Sequence, residues 1–143
     1  NSSPTDFFGI IKNLLKILYN KPVVLKQPIQ KKMEKLIAEV GASSAVKAYQ
    51  QLKSDTANYS VDWISMNFLA EQLLLLKRYE DAKIISENNM KEFADKDLVN
   101  YTMGNIYLAL NKKEEAIQTY KKALQITPNY IEVINKLKEL GIK

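Results

Sequence analysis

DLVNYTMGNIYLALNKKEEAIQTYKKALQITPNY, residues 97–130, decides how the chain is read. Small residues recur in it at Gly104, Ala116 and Ala123, aromatic ones at Tyr107 and Tyr120, and Pro128 follows Thr127 near its end. Each type has a physical task in a pair of antiparallel helices. Gly104 and Ala116 let two helix backbones approach, and Tyr107 and Tyr120 fill the space beside those approaches. Ala123 permits close contact with the next helix along. Pro128 stops the second helix, because proline lacks an amide proton and clashes with the preceding turn. Between the helices, Asn111-Lys112-Lys113-Glu114-Glu115 makes a polar turn that sets acidic residues at the positive end of the second helix.

This spacing resembles one tetratricopeptide repeat, a helix-turn-helix unit of about 34 residues. Asn100 stands where the pattern has tryptophan, and Met103 where it has leucine. A repeat cannot bury its apolar face alone, so neighbours are expected. One period upstream, residues 63–96 carry the same turn as Arg78-Tyr79-Glu80-Asp81-Ala82, with Ala70 in the place of Gly104 and Leu73 in that of Tyr107. The second half has drifted: Ser86, Asn89 and Ala94 take the places of Tyr120, Ala123 and Pro128. Residues 29–62 resemble a further, divergent repeat, with Ala45, Tyr49 and Leu52 matching Ala116, Tyr120 and Ala123.

The expected fold is therefore all-α: a right-handed solenoid of antiparallel helix pairs closed by a C-terminal capping helix. Residues 1–28 form an apolar helix and linker, followed by repeats at 29–62, 63–96 and 97–130, with the cap over 129–143. The first helix runs from Phe7 to Tyr19, after capping residues ending at Asp6, and breaks at Asn20-Lys21-Pro22. Val23 to Gln27 reads as an extended linker, and Pro28 as the first residue of a helix that continues from Ile29 to Val40 and stops at Gly41. Helices follow at 43–53, 63–76 (capped by Asp62), 79–92, 97–110 and 113–126, with a polar loop from Ser54 to Ser60. The closing helix, Asn129 to Leu140, turns Ile131, Ile134, Leu137 and Leu140 inward.

Composition narrows the functions open to such a fold. The 143 residues include neither cysteine nor histidine, which excludes disulfides, thiolate-bound zinc and imidazole or thiolate catalysis. No glycine-rich phosphate loop and no carboxylate-rich metal loop occurs, so no cofactor or metal is expected. The net charge of +5 sits in the first 35 residues, where seven lysines face Asp6 and Glu34; the rest is balanced. A nucleic-acid reader needs arginine-rich clusters with interleaved aromatics, and Arg78 is the one arginine. The lysines read as solvated surface, with anionic headgroups a lesser alternative. No apolar run is long enough to span a bilayer. The chain begins without methionine or a signal-peptide layout and reads as the continuation of a longer protein.

A second resemblance covers about the first 60 residues. Ile17-Leu18-Tyr19-Asn20-Lys21-Pro22, the connector to Pro28-Ile29, and Gly41 before Ala45-Val46-Lys47-Ala48-Tyr49 are similar to the tail behind serine hydrolases of the penicillin-binding and class C beta-lactamase type. That resemblance implies a bacterial, exported protein, periplasmic or in the cell envelope, with a hydrolase upstream and the repeats following it. Ser44-Ala45-Val46-Lys47 spells that class's nucleophile motif, but its companion motifs, Tyr-x-Asn and Lys-Thr-Gly or His-x-Gly, are absent. The pairs Glu80-Asp81 and Glu114-Glu115 complement helix dipoles rather than form acid/base pairs. The stretch is thus expected to be non-catalytic.

The tetratricopeptide resemblance implies that the first helix of each repeat lines a concave face. On this chain that face comprises Ile64, Asn67, Phe68 and Glu71 from one repeat and Leu98, Tyr101, Thr102, Asn105 and Leu108 from the next. Its apolar content favours a protein or peptide segment with large apolar side chains. The alternative is a shallow groove whose residues pack mainly on one another. Met33 and Ile37 occupy places where a two-carboxylate clamp would need lysine and asparagine. A purely structural role, supporting an upstream domain in cis, is the other reading. The helix at 7–19 is so apolar that it must be covered: by that upstream domain, by the chain's own repeats, or by a second copy in a homo-oligomer.

Overall fold

A computed structural model describes residues 7–19 and 26–142. Among them are eight helices: α1 Phe7–Tyr19, α2 Ile29–Val40, α3 Ala42–Ser54, α4 Trp63–Leu75, α5 Tyr79–Phe93, α6 Asp97–Ala109, α7 Lys113–Ile126 and α8 Ile131–Glu139. The cap ending at Asp6, the break at Asn20-Lys21-Pro22 and the linker up to Leu25 lie outside the described residues.

The helices start and stop where their terminal residues dictate. Asp62 opens α4 by accepting the Ser65 backbone N–H and the Ser65 hydroxyl, both at 2.7 Å. Gly41, at φ 80°, separates α2 from α3 by itself. The turns after α4 and α6 are copies one period apart. Lys77 and Asn111 both take φ 59°; Arg78 N–H bonds Leu73 C=O at 2.9 Å, as Lys112 N–H bonds Tyr107 C=O at 2.8 Å. Gly141 ends α8 likewise at φ 83°, with Ile142 N–H on Leu137 C=O at 2.9 Å. The left-handed residue lets the chain reverse while satisfying carbonyls the helix leaves unpaired.

These turns fold α2 on α3, α4 on α5 and α6 on α7. The pairs stack so that α4 lies between α2 and α6, α3 meets α5, α5 meets α6, and α8 closes the stack against α7. The result is an all-α helical repeat solenoid. One apolar core runs from Ile29 and Met33 through Met66, Ala70 and Ile85 to Met103 and Ile106. A second gathers Ala116, Tyr120, Ala123, Val133 and Leu137, and Tyr107 packs against both. Met33 and Ile37 are buried in the first core.

Three sequence expectations are corrected. Pro28 precedes α2 rather than opening it: Gln27–Pro28 (β1) pairs in parallel with Tyr59–Ser60 (β2), and Gln27 N–H bonds Asn58 C=O at 2.8 Å. The loop from Ser54 to Ser60 therefore contains a short strand, tied back where Tyr59 N–H meets Asp55 C=O at 3.0 Å. The closing helix begins at Ile131, because Tyr130 is held in the turn by a bond from its N–H to Thr127 C=O. Leu137 and Leu140 pack inward as expected, but Val133 joins them, and Ile131 is 61% exposed.

On α1, Ile10, Leu14, Ile17, Leu18 and Tyr19 are exposed, and Gly9, Ile11 and Leu15 are half-buried. The packing expected to cover this helix is not supplied for those five side chains.

Candidate functional site

Two of the face residues read from the sequence project outward from α4: Ile64 is 57% exposed and Phe68 50%. Trp63 stands beside them at the helix start, half-buried, and its carbonyl accepts from Asn89 Nδ2 at 3.0 Å. Glu71, one turn beyond Phe68, is half-buried.

Asn67 and Thr102 lie deeper. Both are buried, and they join α4 to α6 through a short chain of hydrogen bonds. Asn67 Nδ2 donates to Thr102 Oγ1 and to Glu71 Oε1, each at 3.0 Å, while Thr102 Oγ1 donates to Glu71 Oε1 at 2.8 Å. A carboxylate receiving two such bonds is fixed in place. Asn67 and Thr102 thus form the floor of the face and position Glu71.

From α6, Leu98, Tyr101, Asn105 and Leu108 are all half-buried. Asn105 Oδ1 accepts from the Tyr120 hydroxyl at 2.7 Å, which turns its amide toward α7. Tyr101 stands between two other rings, at 6.1 Å from Tyr120 and 5.3 Å from Tyr130, tilted by 39° and 40°.

Sequence reasoning missed Tyr130 and Asp97. Tyr130 lies in the turn before α8, so no helical periodicity marks it; the signal was an aromatic residue directly after Pro128-Asn129. Burial, then the negative charge of Asp97, with Tyr101, Glu132 and Glu71 adding less, push the Tyr130 hydroxyl up to about 12. Asp97 Oδ2 accepts from Thr127 Oγ1 at 2.6 Å, tying the end of α7 to the start of α6. The face is therefore a half-exposed apolar and aromatic strip with fixed carboxylates.

A cavity of about 440 Å³ opens between α4 and α2, lined by Glu34, Ile37, Leu69, Gln72, Leu73, Leu75, Leu76 and Arg78. Arg78 also pairs with Asp81, whose Oδ2 is 2.7 Å from a guanidinium nitrogen. Ser44 and Lys47 are exposed on α3. Among the described residues no group of three or more Asp or Glu side chains could hold a metal ion, and no helix is long and apolar enough to cross a membrane.

The stacked pairs, the repeated turns and the open face on α4 and α6 are the geometry of a helical repeat. Residues 104–137 match a family model described as TPR repeat. The matched span starts part-way along α6 and ends in α8, so it takes in Gly104, the turn at Asn111 and the Tyr120 core. No curated protein matches the chain. TPR repeats mediate protein–protein interaction and are typically non-catalytic.

Proposed function

We propose that the chain is a non-catalytic interaction module whose α4 and α6 hold a helix or extended segment of another polypeptide. The observation that carries this reading is the exposure of Ile64 and Phe68 on one stripe of α4, which packs on α6 with its half-buried Tyr101 and Leu98. A large apolar side chain left in water costs about 1.5 to 3 kcal/mol relative to one covered, so a bound segment gains by covering both. Random peptides selected for binding to the chain test this by amide chemical-shift mapping. Shifts centred on Ile64, Phe68, Tyr101 and Leu98 support the reading, and shifts confined to other faces reject it.

A second reading is favoured by α1. Its five exposed apolar side chains fit a helix that belongs against another body. In that reading the repeats support an upstream domain of the penicillin-binding or class C beta-lactamase type in an exported bacterial protein, outside the cytoplasm. Alternatively α1 meets a second copy of the chain. Sedimentation of the chain with and without residues 1–20 separates these: loss of a dimer on truncation assigns α1 to self-association, and a monomer in both leaves the cis role. A serine-reactive probe that labels Ser44 would overturn the non-catalytic reading.

A further inference from the structure

Twenty-one of the chain's residues are lysine or arginine, and none of them lies on α4 or α6. The charged side chains of those two helices are Glu71 and Asp97 alone, both acidic, in a chain whose net charge is +5. A random scatter of charge would put several lysines on two thirteen-residue helices. The two helices together thus carry two negative charges and no positive one, in a chain of net charge +5.

The carboxylates are also held next to residues that carry the rings: Asp97 bonds Thr127, whose carbonyl holds Tyr130, and Glu71 bonds Thr102, the neighbour of Tyr101. Glu71 takes both of its hydrogen bonds on Oε1, from Asn67 and Thr102, which leaves Oε2 uncommitted. Asp97 is fixed by Thr127. Tyr101 and Tyr130 stand 5.3 Å apart beside them, and the Tyr130 hydroxyl feels Asp97, Glu132 and Glu71 together. Among the described residues no ion pair engages Glu71, Asp97 or Glu132. Tyrosine faces attract cations through their quadrupole, and a desolvated carboxylate nearby adds to that attraction.

We propose that the α4–α6 face takes its partner segment by a lysine or arginine side chain. The cation lies against Tyr101 and Tyr130 beside Glu71, while apolar neighbours of that residue cover Ile64 and Phe68. This rests on the reading of the face as a protein-binding surface and adds the charge of what it binds.

Random peptides displayed against the full chain provide the test. The selected peptides should carry Lys or Arg flanked by apolar residues. Changing that residue to acetyl-lysine or citrulline, which removes the charge but keeps the length, should weaken binding about tenfold, equivalent to about 1.4 kcal/mol. On Glu71→Gln, which keeps the Oε1 acceptor and the side-chain volume, the preference for the charged over the neutral peptide should shrink. Affinity for the charged peptide should fall with added salt. Peptides that lose binding on Phe68→Ala yet carry no basic residue, or that bind equally when neutralised, overturn this inference and leave the protein-binding reading standing. If no selected peptide responds to Phe68→Ala, both fail. The neutralised-peptide comparison uses the parent chain, so it stands whatever Glu71→Gln does to stability.

Discussion

The ring of Tyr120 occupies the place a side chain at position 104 would need: a Cβ on Gly104 would lie 2.6 Å from Tyr120 Cδ1 and 2.9 Å from Cζ. Gly104 thus admits an aromatic ring from α7, and the ring, itself fully buried, fills the joint between α6 and α7. Gly104→Ala should cost about 1 to 3 kcal/mol, and Gly104→Leu more, because the ring cannot move without leaving Asn105. In a Tyr120→Leu background the Ala substitution should cost much less. Thermal melts of the four proteins form the cycle; equal costs in both backgrounds would break the link between the two residues.

Lys77 and Asn111 hold the same left-handed conformation in equivalent turns. A lysine Cβ is strained there, while asparagine tolerates it better and glycine fully. Lys77→Gly should stabilise by about 1 kcal/mol, and Asn111→Gly by less. Denaturant midpoints decide it, and a destabilised Lys77→Gly would mean the side chain packs on its neighbours.

Burial, with Glu92 and Asp62 nearby, pushes the Tyr49 hydroxyl up to about 12, and Tyr130 rises to a similar value. Tyr120 is raised further by burial, with Tyr101 and Glu139 adding to it. Because the folded state favours the neutral phenols, the unfolded chain ionises first. Stability from these groups is full below pH 10, the ordinary value, and is lost as pH rises through about 12. Urea titrations at a series of alkaline pH values should show that decline, and Tyr130→Phe should make it shallower. A decline just as steep in Tyr130→Phe would show that Tyr130 does not contribute.

Ser86 takes the place of Tyr120 in the preceding repeat, is buried, and its Oγ has no hydrogen-bond partner among the described residues. An unpaired buried hydroxyl is unfavourable. Ser86→Ala should be neutral or stabilising by up to about 1 kcal/mol. Destabilisation beyond that would show that the hydroxyl is bonded through water.

Much of the fold was legible because its signals are local. Asp62, Gly41 and the paired turns at Lys77 and Asn111 fix helix ends through residues near in sequence, and the Gly104 and Tyr120 spacing exposes the repeat. The short β1–β2 pair was not legible, since two-residue strands carry no period and the pairing joins segments far apart in sequence. The later start of α8 was missed because Asn129 and Tyr130 suit a first helical turn as well as the turn in which the Tyr130 N–H bond to Thr127 C=O holds them. The face residues were assigned to α4 and α6 by the tetratricopeptide resemblance and its period. Periodicity could not say that Asn67 and Thr102 lie beneath the surface, because their burial comes from neighbours across the α4–α6 interface.

The reading that α4 and α6 bind a polypeptide stands or falls most directly on Ile64 and Phe68. Their double replacement, Ile64→Ala with Phe68→Ala, removes side chains that are half or more exposed, so the melting temperature should hardly change. Affinity for peptides selected on the parent chain, measured by isothermal titration, should fall by at least about tenfold. Unchanged affinity in a protein that melts like the parent would contradict the account.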